Sequence, residues 1–421
     1  MRRGSSSIVR TIGVVVVTLL ALAGCSSSNS TSTPEGTSSS GGGEVSRDPV
    51  TLKLGTFGIK SQLAGSEFGV QGRLKQFNDN HEIPGVTLQY TEYADDKQDP
   101  ATALSEARRL VTSEGVFAFV GQTSSTTPGE FLTQSQVPWF GWAFDDSYCS
   151  HEASTDVWGF GYNGCQVNAN PSYVSDTGAT VYDAVKAASG KDKPTLALFS
   201  ADNTPGRTAT TNQKTVYEGA GFDVVSNDVL LAVPVSDYTP YVQKLLTSDS
   251  GNPPDAILCL LQVDCINVWN QMQALGYGGS YISSLYSDLV VAPMKGSYVN
   301  NYYANTNEAN PYLEQMRTAV QAVKADQPMD SGTVAGYLST DMFIQALKVA
   351  AENGNDKITG AAVQKAASTM TWEAKDFAGP THYPDATVAV VNACTTVMKS
   401  DGTAWQTVVP FQCSDKTFPV N

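Results

Sequence analysis

Chemistry in this sequence concentrates in Val120-Gly121-Gln122-Thr123-Ser124-Ser125-Thr126-Thr127-Pro128-Gly129, which sets five Ser/Thr hydroxyls between two glycines. An apolar run precedes it and a helix-like segment follows. Free amides at a helix start, with the Ser124 and Ser125 hydroxyls, would hold a carboxylate or another acceptor group. A plain N-cap needs one Ser or Thr, so five point to a ligand. Shortly afterwards comes Val137-Pro138-Trp139-Phe140-Gly141-Trp142-Ala143-Phe144-Asp145. As a strand, this segment aims Ala143, Phe144 and Asp145 at the crevice where α/β sheets bind ligands, with Trp139 and Phe140 in the core.

Catalytic constellations are weaker. Gly159-Phe160-Gly161-Tyr162-Asn163-Gly164 has dinucleotide-loop spacing, but Trp158 and Cys165 flank it and Asn-rich, Pro-containing sequence follows where a helix would be required. There is no Walker A sequence and no G-x-S-x-G pentapeptide. His81 and His151 each precede a glutamate without the second histidine of H-E-x-x-H, and His382 stands apart, so surface positions suit all three. With no C-x-x-C either, neither a metal nor a cofactor is expected.

The chain of 421 residues is 41% hydrophobic and 16% charged, a composition for two or three folded domains. Its formal charge is −15; the first 24 residues hold three arginines and no acid, so without them it is −18. That balance repels phosphate backbones and excludes nucleic acid as a partner. Residues 12–24 are apolar, sit behind those arginines and are too short to span a bilayer as a mature helix. They end in Leu22-Ala23-Gly24-Cys25, which resembles a bacterial lipobox and makes residues 1–24 a lipoprotein signal peptide with Cys25 the lipidated residue. Residues 25–47 are a Ser/Thr/Gly-rich flexible tether with a reach of roughly 25 Å. The six remaining cysteines suit an oxidising compartment. Fifteen connectivities are open to them; sequence neighbours give the shortest closures, Cys149 with Cys165, Cys259 with Cys265 and Cys394 with Cys413.

From Pro49 onward strand-like and helix-like patterns alternate. Val50–Ile59, Val86–Tyr93 and Val116–Val120 read as strands, with Asp99-Pro100 opening a helix that runs through Glu114. The rhythm restarts at Thr195–Ser200 and continues to Ala256–Leu261. Two longer helices, about 310–325 and 333–352, precede a β-rich tail over 387–409. This pattern gives two α/β units with mainly parallel sheets.

In these residues the chain resembles the leucine/isoleucine/valine-binding family of extracytoplasmic solute-binding proteins, the type I periplasmic-binding fold of ABC importers. The likeness runs from about Val50 to Val409. It is carried by the Gly121–Ser125 loop, Leu198-Phe199-Ser200 before Pro205-Gly206, the Asp237–Leu245 segment, Leu275-Gly276-Tyr277, Ala335-Gly336-Tyr337 and Gly379-Pro380. The resemblance implies two lobes, each a mainly parallel sheet flanked by helices, joined by three hinge crossings. Lobe 1 would comprise 48–165 and 298–384, and lobe 2 would comprise 166–297 and 385–421.

Carried over by position, it makes Ser125, with Ser124 beside it, the carboxylate-binding serine and Ala143 the carbonyl that meets a ligand amine. Asp145 departs from a hydroxyl residue there. An anion at that point would repel a carboxylate by about 4 kcal/mol at ~4 Å with an effective dielectric near ~20. From lobe 2, Tyr286, Ser287 and Asp288 cover the position of the ammonium-binding acid. Pro205 replaces a frequent aromatic, Gln262 and Asp264 lie at another strand end, and Tyr337 matches an aromatic near the hinge. Phe144, Tyr286 and Tyr337 suit a flat or apolar guest, while Asp145 and Asp288 suit an amine, amide or hydroxylated one.

The expected role is therefore that of a non-enzymatic, lipid-anchored component of an ABC importer. It would capture a small organic solute, amino-acid-like or an amide, by hinge closure between the lobes. Its partners would be that solute, the permease subunits and, through its anchor, the cell membrane; it would act outside the cytoplasm as a monomer. The same fold could instead serve as a ligand sensor for a membrane receptor. An extracytoplasmic enzyme or cell-wall binding module is the remaining alternative.

Overall fold

The computed structural model describes residues 45–149, 157–383, 388–389 and 393–420. The signal peptide, the lipidation expected at Cys25 and the tether as far as residue 44 lie outside these. Among the described residues no helix is long and apolar enough to cross a membrane.

The first sheet is built from β1 (Val50–Gly58), β2 (Val86–Asp95), β3 (Ala118–Gln122), β4 (Trp139–Gly141) and β5 (Gly159–Gly161). All pair in parallel, in the order β2-β1-β3-β4-β5. Its central strands β3 and β4 are buried along their whole length because both faces are covered. Leu54, Val120 and Phe140 pack on one side, and Phe57, Phe119 and Trp139 on the other. Helices α1 (Gly65–Asp79), α2 (Pro100–Arg109) and α3 (Gly129–Gln134) link these strands. As expected, Asp99 caps α2 by accepting from the Thr102 amide, with Pro100 in the first turn.

Two strands differ from the sequence reading. The third begins two residues later than expected, at Ala118. The fourth is only Trp139–Gly141, because after a last ladder bond from the Trp142 amide to Gln122 O the Phe144 amide turns back to Trp142 O. Ala143, Phe144 and Asp145 thus sit in a turn past the strand end.

The second sheet contains β6 (Thr195–Ala201), β7 (Asp223–Leu231), β8 (Ala256–Cys259), β9 (Ser280–Ser283) and β10 (Tyr298–Asn301), parallel and in the order β7-β6-β8-β9-β10. The antiparallel strands β11 (Cys394–Ser400) and β12 (Trp405–Cys413) extend the β10 edge. Its five parallel strands repeat the connectivity of the first sheet, although the sequence shows no fixed-period repeat. Leu196, Leu198 and Leu258 fill one face and Ala197, Phe199 and Ile257 the other. The helices are α4 (Ala179–Ser189), α5 (Thr204–Ala220), α6 (Thr239–Leu246) and α7 (Asp264–Ala274).

Tyr298–Asn301 corrects the expected lobe boundary at 298. These residues form β10 of the second sheet, with Ile282 opposite Tyr298 and Met398 opposite Val299, so the return to the first lobe begins after Asn301. Helices α8 (Pro311–Gln321), α9 (Ser331–Ala350) and α10 (Gly360–Ala367) follow, with α9 packed on α1, β3 and β4. The contact between α1 and α9 is close enough that a Cβ on Gly69 would overlap Thr333 O and one on Gly336 would overlap Ser66 O.

A buried ion network locks this pair. Arg73 donates from Nε to Asp341 (2.8 Å) and from Nη1 to Glu82 (2.6 Å), and Lys348 Nζ lies 2.7 Å from Glu82. Trp372 Nε1 donates to the other Asp341 oxygen. Tyr337 belongs to this packing and not to the hinge: its hydroxyl donates to Gln76 Oε1 at 2.6 Å and its ring meets Tyr312 edge-on. The three disulfides are Cys149–Cys165, Cys259–Cys265 and Cys394–Cys413, the last joining residues opposite each other in β11 and β12.

Candidate ligand-binding site

In an open parallel sheet, ligands bind beyond the carboxyl ends of the strands where the strand order reverses. Both sheets reverse at their first strand, between β1 and β3 and between β6 and β8. A cavity of about 210 Å³ lies among the loops leaving those strand ends. The first lobe supplies Ile59 and Gln62 after β1, Gln98 after β2, Ser125 after β3, and Trp142 and Phe144 after β4. The second supplies Ser200 and Ala201 at the end of β6 and Asn203 after it, Val233 after β7, Leu260–Gln262 after β8 and Ser284 after β9. Pro205, Gly206, Ala209 and Gln213 form one face of α5, Asp264 opens α7, and Gln166, Val167 and Tyr302 come from the crossing segments.

Local folding explains why Ser125 reaches this cavity and its neighbours do not. Thr123 Oγ1 pairs with the Tyr93 hydroxyl, Ser124 Oγ accepts from the Thr126 amide, and Thr127 Oγ1 accepts from Gln122 Nε2. Thr126 Oγ1 lies 3.4 Å from Ser124 Oγ. Four of the five hydroxyls thus brace the loop and Ser125 is left facing the cavity. The helix start expected here as an acceptor site is only the six-residue α3, whose cap residue Pro128 has no side-chain hydrogen bond.

Of the twelve expected ligand residues, Ser125, Phe144, Pro205, Gln262 and Asp264 line the cavity. The other seven are placed elsewhere. Ser124 is fully buried and Ala143 is buried with its amide donating to Asn163 Oδ1. The Asp145 carboxylate accepts from the amides of Thr127 and Ser147 at 2.8 and 2.9 Å, so it braces the loop and does not line the cavity. Burial pushes the Asp145 carboxyl above its ordinary range, against those hydrogen bonds. Tyr286 is a core residue beside Tyr303 and Trp405, its hydroxyl paired with Thr306. Ser287 caps a short helical turn and takes the Trp405 indole proton on its carbonyl. Asp288 is exposed on that turn, and Tyr337 lies in the α1–α9 contact described above.

Sequence reasoning missed Trp142, Gln62, Gln98, Gln166, Asn203, Gln213 and Tyr302. Helical periodicity held a signal for one group: Pro205, Ala209 and Gln213 recur every four residues behind Asn203, whose side chain caps α5 through the Gly206 amide.

The lining is mostly uncharged. Among the described residues it contains no Lys, Arg or His, and its one acidic side chain, Asp264, accepts the Tyr238 hydroxyl at 2.6 Å. Burial pushes the Tyr302 phenol up to about 12 despite the opposing Thr177 and Gln166 side chains, so it enters the cavity neutral. Trp142 and Phe144 stack at 4.7 Å with 28° between their planes and form an aromatic wall. Such a space holds and desolvates a small molecule.

The Cys259–Cys265 bridge, across a sequence separation of 6, closes the short loop that carries Leu260, Leu261, Gln262 and Asp264. Replacing both cysteines with serine is expected to cost about 2 kcal/mol from loop-closure entropy. Urea unfolding of the two proteins measures this, and an unchanged midpoint would contradict a staple role.

Two α/β lobes with a cavity at their facing strand ends define a solute-binding protein of the bilobal type. The chain belongs to the periplasmic binding protein family, whose profile matches residues 55–404. No curated protein sequence matches it. Solved structures share its fold. A substrate-binding protein of an ABC transporter from Aeropyrum pernix superposes with a TM-score of 0.69 at 16% identity, covering 87% of this chain and 97% of that one. A solute-binding protein from R. palustris in complex with 4-hydroxybenzoate gives 0.66 at 16% identity, covering 87% and 98%. A branched-chain amino acid ABC transporter protein from Thermus thermophilus with bound valine gives 0.66 at 14%, covering 87% and 98%.

Proposed function

We propose that this chain is the lipid-anchored, extracytoplasmic solute-binding component of an ABC importer, taking a small organic solute, amino-acid-like or an amide, by hinge closure. The observation that carries the reading is the cavity flanked by loops from both sheets. A solute docked on Ser125, Trp142 and Phe144 would be covered when the α5 face and the Gln262 loop move with the second lobe, which excludes water and favours the closed state. The closed form would then be presented to the permease. Two of the similar structures hold a flat aromatic acid and an amino acid, guests of suitable scale. The Leu22–Cys25 lipobox supports anchoring through Cys25. No step of this reading is catalytic.

A thermal-shift screen of amino acids, amides, polyamines, aromatic acids and sugars tests it. A ligand that binds only the folded chain stabilises it by RT ln(1 + [L]/Kd), about 2.7 kcal/mol at ~100 times Kd. At least one class should raise the melting temperature, and flat curves throughout would contradict solute capture. Ser125→Ala is expected to weaken binding of the hit by about 1–3 kcal/mol through loss of a buried hydrogen bond. Unchanged affinity would take Ser125 out of the site.

A further inference from the structure

Two polar side-chain atoms of residues lining the cavity are shielded from solvent and lack a hydrogen-bond partner: Trp142 Nε1 and Gln262 Oε1. They come from the first and the second lobe, so a ligand completing both would bridge the hinge. Trp142 is only 3% exposed, and its indole can only donate. A buried donor without an acceptor is costly, which makes a guest that supplies one strongly preferred. The Trp142 indole and Gln262 Oε1 offer a donor and an acceptor, the complement of a carboxamide. Beside them lies the Trp142–Phe144 stack, a flat wall.

Charge narrows the class. Among the described residues the lining brings no Lys, Arg or His, Tyr302 is neutral, and Asp264 is the one acidic residue, in a protein of net charge −15. An anion would lose its hydration without meeting a counter-charge, whereas a neutral guest loses little.

Building on the solute-capture reading, we infer that the site selects a neutral, flat carboxamide over the matching carboxylate and over zwitterionic amino acids. The Trp142 indole would donate to the guest carbonyl, and the guest NH₂ would donate to Gln262 Oε1.

The test is calorimetric and thermal-shift titration of the full chain with benzamide and nicotinamide, with benzoate and nicotinate as charged isosteres, and with valine. The amides should bind and raise the melting temperature, with the acids and valine at least about tenfold weaker. Trp142→Phe keeps a ring and removes the donor, and Gln262→Ala removes the acceptor on a partly exposed loop; each should weaken the amide about tenfold. Acids or valine binding while the amides stay silent would overturn the charge selection and leave solute capture standing. Amide affinity unchanged in both variants would overturn the assigned contacts. No binding by any of the five compounds, together with flat curves across the wider screen, would instead remove the solute-capture reading and this inference with it.

Discussion

Replacing Arg73 with alanine is expected to lower the unfolding free energy by about 3–5 kcal/mol, because it leaves the buried Asp341 carboxylate without its counter-charge and takes one of two cations from Glu82. Arg73 is 5% exposed and joins Asp341 on α9 to Glu82 beyond the end of α1. Lys348 would still neutralise Glu82, but Asp341 would be left with neutral donors such as the Trp372 indole and the Gln345 amide. Urea denaturation at neutral pH measures the change; a loss below about 1 kcal/mol, the range of exposed ion pairs, would contradict the buried-network reading.

The same network carries a pH signature. Burial alone would raise the Glu82 pKa, yet hydrogen bonds from Arg73 and Lys348 hold it below the ordinary carboxylate range. A depressed folded-state pKa stabilises the fold above the unfolded value of about 4.3 and is lost as pH falls through the folded one. Wild-type stability should therefore decline through that acid range. Arg73→Ala should show a shallower decline there.

Gly336→Val is expected to cost about 3 kcal/mol, the upper end for overpacking, or to prevent folding. The added carbons would meet the Ser66 backbone, which has no flexible side-chain end to move aside. Gly278 supplies the control: a Cβ there meets nothing within 4 Å, so Gly278→Ala should leave the melting temperature almost unchanged. Equal effects from the two substitutions would contradict the close α1–α9 contact.

The fold was legible where local pattern and topology agree. Apolar runs such as Leu196–Phe199 and capped helix starts such as Asp99-Pro100 mark parallel α/β units without outside help. The family resemblance supplied what periodicity lacks, the return of the late helices to the first lobe. It was a few residues early at β10, since Tyr298–Asn301 reads equally well as either lobe's strand and only sheet pairing decides. In the site, strand-end residues such as Gln262 were within reach. Trp142 was not, because nothing in the sequence says that the fourth strand stops at Gly141. Asp145 and Tyr286 misled for a shared reason. A carboxylate or aromatic carried over by position cannot reveal that its own loop, or a neighbouring tryptophan, has claimed it.

The central claim is that two lobes close over a diffusible guest. Small-angle scattering of the chain, alone and saturated with the compound giving the largest melting shift, tests it most directly. A smaller radius of gyration in the saturated sample is the expected result; an identical curve at saturation would contradict closure.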